Sequence, residues 1–115
     1  MDTRRFTDSV TVRRSTNTTL DGGFVEESFA DQHTCKGKLI LKTPSSMVDH
    51  AGQIVEYNGV LFVKPDEDIR PRIGTQQRDM VKVGDIEYLV HVVQQDNIDG
   101  NRFRVCYLQA LGAPH

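Results

Sequence analysis

His33 and Cys35 sit two positions apart, and a further histidine and cysteine, His91 and Cys106, lie far along the chain. Imidazole and thiolate are strong zinc ligands, and residues at i and i+2 share one face of a strand. The spacing of these four residues fits no zinc pattern, however, and no Cys-x-x-Cys occurs. The expectation is that no metal is bound and that Cys35 and Cys106 are reduced, buried thiols acting as small hydrophobes. The run Asp66-Glu67-Asp68 concentrates negative charge. Its carboxylates are consecutive, whereas an EF-hand loop alternates them, so it reads as a solvated turn. His91 stands among Leu89, Val90, Val92 and Val93 with no nucleophile or orienting acid beside it. That is a strand histidine with a local partner rather than a general base. Asp79 and Asp85 flank a short apolar run and read as turn-setting residues. No Gly-x-Ser-x-Gly, P-loop, His-Glu-x-x-His or Gly-x-Gly-x-x-Gly is present. Neither an enzyme nor a cofactor is expected.

Nucleic-acid binding is a second chemistry to weigh. Arg4, Arg5, Arg13, Arg14, Arg70, Arg72, Arg78, Arg102 and Arg104 accompany the strand aromatics Phe6, Tyr57, Phe62, Phe103 and Tyr107. A small barrel can display such residues as an oligonucleotide face. The net charge is −2, however, whereas a dedicated binder is usually basic. The strand pattern also asks for most of these aromatics in the core. A nucleic-acid module is therefore kept as an alternative to a structural role.

The elements that position these residues are strands. A chain of 115 residues makes one domain, with residues 1–5 and 112–115 as flexible tails. No run approaches the ~20 apolar residues of a membrane helix, and the first residues show no apolar leader. In Asp79–Leu111, Ile86, Tyr88, Val90 and Val92 alternate with Glu87, Leu89, His91 and Val93. Phe103, Val105 and Tyr107 alternate with Arg102, Arg104 and Cys106 across a turn at Asp96–Asn101. Period-two alternation predicts a β-hairpin, with Met80–Val83 as a short strand before it. Earlier strands are expected at Phe6–Arg14, Phe24–Ala30 and His33–Thr43, separated by a loop over Ser15–Gly23. Glu26 and Glu27 would face solvent or Arg13 and Arg14. Pro44 is expected to end the third strand, with Ser45 or Ser46 capping a short helix to Ala51, or an extended excursion in its place. Asn58-Gly59 between Ile54–Tyr57 and Val60–Val63 predicts a type I′ hairpin. The fold class is all-β: a small antiparallel barrel or sandwich of seven to eight short strands with at most one short helix and one long central loop or hairpin.

The order of these features resembles the head–tail joining (head-closure, or stopper) proteins of long-tailed bacteriophages. The resemblance rests on Phe6-Thr7-Asp8 leading into a strand that ends at Arg13-Arg14, and on the turn Asp21-Gly22-Gly23 before Phe24-Val25. It continues with Val60–Val63 running into Lys64-Pro65-Asp66-Glu67-Asp68, and with Gly84-Asp85-Ile86-Glu87-Tyr88-Leu89-Val90 before the final strand. It spans about residues 6–111, with Pro44–Asn58 the hardest part to match. It implies a barrel protomer in a homo-oligomeric ring of roughly six or twelve copies. That ring would sit below the portal or an adaptor protein in the virion neck, with a tail-terminator or tail protein on its other side. It would extend the channel for packaged double-stranded DNA, help retain that DNA and offer the tail its attachment surface. The implied location is the virion, after synthesis in the bacterial cytoplasm, with no membrane involved. The family's central loop maps onto Thr43–Gly59, so Thr43, Pro44, Ser45, Ser46, Met47, Val48, Asp49 and His50 become the channel or gating loop. Arg4, Arg5, Arg13 and Arg14 opposite Asp66, Glu67 and Asp68 would supply contacts between subunits or with partners. Tail-terminator or tail-completion rings are the virion alternative, and they usually carry more helix.

Overall fold

The alternating stretches become six antiparallel strands, and the described residues contain no helix. The computed structural model describes residues 6–19, 23, 25–71, 79–98 and 100–111. The strands are β1 (Asp8–Thr19), β2 (Val25–Val48), β3 (Ile54–Val63), β4 (Asp79–Val83), β5 (Ile86–Ile98) and β6 (Asn101–Ala110). They close into a barrel in the order β1-β2-β3-β6-β5-β4, so β4 returns to β1. The barrel is not evenly round one axis, and the molecule measures 54 × 31 × 28 Å.

The last third keeps its expected order, β4, a Gly84-Asp85 turn, then the β5–β6 hairpin, but Asp96, Asn97 and Asn101 pair within the ladder instead of forming the turn. Tyr88 and Val90 are buried in the core as the alternation predicts, whereas Ile86 is exposed and Val92, also buried, lies beside Tyr107 on the opposite face. A bulge at His91 shifts the register, pairing Val90 with Leu108 and Val92 with Tyr107. Bulges bend strands and re-aim side chains, which a closing barrel uses. On β6 the main core takes Cys106 and Leu108, together with Val10, Val12, Leu61, Val63, Ile69, Val81, Tyr88 and Val90. The aromatics enter it less than expected. Phe103 is buried but stacks edge-on against Phe6, with centroids 5.6 Å apart, while Tyr57 and Tyr107 pair half-buried at 5.1 Å.

The first two thirds depart from the expected layout because the strands are fewer and longer. Ser15–Thr19 is strand, not loop, and pairs with Val25–Phe29. Two expected strands fuse into β2. Val12 pairs with His33 but Arg13 with Asp31, so Gln32 is an extra bulge residue that keeps the ladder continuous. Arg13 and Arg14 thus face Asp31 and Ala30 rather than Glu26 and Glu27. Pro44 does not end the strand either. It lies in a second irregularity, between the pairs Leu41–Gly59 and Ser45–Tyr57, where a missing N–H costs no ladder bond. Ser45 and Ser46 then pair with Tyr57 and Glu56, so no helix forms there. Asn58-Gly59 is not a turn but the middle of β3. Asn58 Oδ1 accepts a 3.0 Å bond from Ala110 N, and Gly59 is packed beneath Leu39, Leu108 and Tyr88.

One glycine fixes how close β2 and β3 can lie. A Cβ on Gly37 would stand 2.8 Å from Phe62 O and 3.0 Å from Leu61 Cδ1 and Val63 Cγ1. Backbone at that distance cannot yield without shifting the strand, so only glycine fits here.

Candidate functional site

Beyond Gly59, where β3 leaves β6, the β2–β3 ladder continues as a two-stranded arm through Val48 and Ile54. This arm holds most of the central segment Thr43–His50. The reversal sits at Asp49–Gln53. Asp49 is buried, and its Oδ1 accepts from Ala51 N at 2.9 Å and Gln53 N at 2.8 Å. Asp49 N donates to Gln53 O at 2.8 Å, and Gly52 takes a φ of 82° that other residues resist. An Asx-type turn therefore replaces the Asn-Gly turn. His50 ties the tip to β5, accepting from Val93 N at 3.3 Å. Asp49→Ala is expected to cost about 1–3 kcal/mol, since two N–H groups of the turn lose a charged acceptor. Chemical denaturation would show the loss, and amide exchange should accelerate first at Ala51 and Gln53.

The two faces of the arm differ. Val55 is buried and Met47, its register partner, half-buried. Val48 and Ile54 pair on the opposite side at 60% and 78% exposure, and Leu41 is 67% exposed. Paired exposed aliphatics on an extended arm are unusual for a surface at rest with water. Ser45 Oγ donates to Thr43 O at 3.1 Å, and Lys42 Nζ lies 5.9 Å from the centroid of the Tyr57 ring.

The opposed charges meet inside one chain. Arg13 lies 2.5 Å from Glu87 Oε1 and 3.1 Å from Asp31 Oδ1. Arg14 is mostly buried and grips Asp79 with two bonds, Nε to Oδ1 at 3.0 Å and a terminal nitrogen to Oδ2 at 3.1 Å. It also reaches Asp68 Oδ2 at 3.2 Å, and Arg70 lies 3.5 Å from the same carboxylate. The bond to Asp79 raises the Arg14 pKa above its already high value, burial opposing it. Burial pushes Asp68 up, but Arg14 and Arg70 outweigh it and hold the carboxyl below its ordinary value. Asp66 is exposed. Arg4 and Arg5 lie outside the described residues.

The acidic turn also meets β2. Glu67 Oε2 is 3.6 Å from His33 Nε2, and the ligand atoms of His33, Cys35 and Glu67 all lie within 4.8 Å of one another. The other two residues weighed as ligands are placed differently. His91 is buried on β5 with Nε2 2.7 Å from Gln109 Oε1, and Cys106 is a free thiol in the core. Burial pushes the Cys35 thiol up to about 11 and the Cys106 thiol to about 12, so both are protonated at neutral pH. Sequence spacing marked His33 and Cys35, but the approach of Glu67 has no local signal. The exposed Val48–Ile54 pair was likewise hidden, because Pro44 and the serines obscured the strand. Neither a protein-family model nor a curated protein matches the chain.

Proposed function

We propose that this chain is a structural subunit of a bacteriophage neck: a head-closure protein that forms a ring below the portal, extends the DNA channel and presents a surface to the tail. The observation that carries the reading is the β2–β3 arm. It displays Leu41, Val48 and Ile54 to solvent on a barrel whose own sheet is closed. A closed barrel has few edges through which to associate, so an apolar arm is its natural means of reaching a neighbour. An arm on one copy against a different surface on the next is a heterologous contact, the kind that closes into rings. The segment Thr43–His50 contains no lysine or arginine. A channel lined by it would hold phosphates weakly and let DNA pass. The residue types argue for assembly rather than catalysis, and the helix-free described residues favour head closure over a tail-terminator ring.

Electron microscopy of the purified protein mixed with portal complexes or tailless heads tests this. Ring density at the portal's outer end is the expected result. Tight, salt-sensitive binding to duplex DNA by the isolated monomer, with no ring on the portal, would instead favour a nucleic-acid module.

A further inference from the structure

We propose that His33, Cys35 and Glu67 form a binding site for a divalent cation of the zinc type, with a fourth coordination position open to water. The proposal is independent of the assembly reading. Backbone order places each ligand without help from a metal. His33 and Cys35 pair with Val12 and Val10, two core residues, so both turn towards the barrel interior. Glu67 is held by its own main chain. Its N–H donates to Lys64 O at 3.2 Å, and its carbonyl accepts from Ile69 N at 3.2 Å and from the Arg104 guanidinium.

The geometry points to a cation rather than a hydrogen bond. At 3.6 Å, His33 Nε2 and Glu67 Oε2 are too far apart for a good hydrogen bond. Metal–ligand bonds of ~2.05 Å put tetrahedral ligands roughly 3.3–3.4 Å apart, and a sulfur ligand somewhat further. The His33–Glu67 pair is within a few tenths of an ångström of that spacing, and all three ligand atoms lie within 4.8 Å of one another. His33 Nε2 is enclosed by protein and makes no hydrogen bond. A thiolate and a carboxylate together balance the charge of a dication. The mixture of sulfur, nitrogen and oxygen favours zinc over magnesium or calcium.

The test uses the full chain, stripped of metal and titrated with Co2+ as a spectroscopic stand-in for Zn2+. The expected result is a thiolate-to-cobalt charge-transfer band saturating at one equivalent, bleached by Zn2+. Zn2+ should also raise the thermal midpoint. Cys35→Ser should abolish the band. Glu67→Gln, at a partly exposed turn, should weaken binding at least tenfold while the circular dichroism spectrum stays unchanged. No thiolate band for the wild-type chain in excess Co2+ would overturn the proposal and leave His33 and Glu67 simple neighbours. So would equal affinity in the Glu67→Gln chain.

Discussion

Asp79→Ala is expected to destabilise the barrel by about 3–5 kcal/mol, the range for breaking a buried pair from one side. Asp79 opens β4 with no exposed surface, and Arg14, its partner on β1, is mostly buried. The bidentate contact joins the strands where the barrel closes. Asp79 Oδ2 also accepts from Arg70 N at 2.8 Å, fixing the chain between β3 and β4. Alanine would leave a guanidinium in a low-dielectric setting with only the exposed Asp68 to answer it. The urea midpoint should fall with little change in slope. Asp68→Ala is the control, removing a carboxylate from the same arginine. That side chain is 57% exposed, so solvent screens the pair and the loss should stay under about 1 kcal/mol. The pH dependence distinguishes them further. Asp68 has a folded pKa below its ordinary 3.8, so its contribution is complete above that value and disappears as pH falls through the folded one. Wild type and Asp68→Ala should therefore converge in stability in acid. Equal losses for Asp79→Ala and Asp68→Ala would mean that burial does not decide the strength of this network.

What was legible in the sequence was what strands declare locally. Alternation through Ile86–Val92 and Arg102–Tyr107, with Gly84 at a turn, marked the β4–β6 meander and the all-β class. The failures share a cause: the deciding partner is distant in sequence. Pro44 reads as a strand end until the register shift opposite Asn58 shows that no ladder bond is required of it. Asn58-Gly59 reads as a turn until Ala110 claims the Asn58 side chain and Leu108 covers the glycine. Asp79 reads as a turn residue because Arg14 is 65 positions away. His33 and Cys35 are weighed as ligands with His91 and Cys106, and that set does not come together in the fold. The fold brings Glu67 beside them instead, from a turn that reads as solvated.

A chain carrying Val48→Lys and Ile54→Glu together is expected to fold normally and to lose assembly on the portal. The two residues face one another across the β2–β3 ladder, so opposite charges there are compatible with the free arm and worth ~0.2–1 kcal/mol in its favour. At 60% and 78% exposure the native aliphatics contribute little to the monomer's core, and the denaturation midpoint should barely move. In a ring the balance reverses. Each aliphatic buried against a neighbour contributes ~1.5–3 kcal/mol, whereas a charge in its place must be stripped of water without a matched partner. The penalty recurs at every interface of a closed ring, so a modest change per contact becomes loss of the assembly. Glu56→Ala is the matching control, an exposed polar residue on the same arm whose loss should leave rings intact. Sedimentation with portal complexes, followed by microscopy of the pellet, reads the outcome. Rings formed as well by the double variant as by the wild type would remove the arm from the interface. The ring would then need another surface, of which the exposed Asp66 turn is the first to examine.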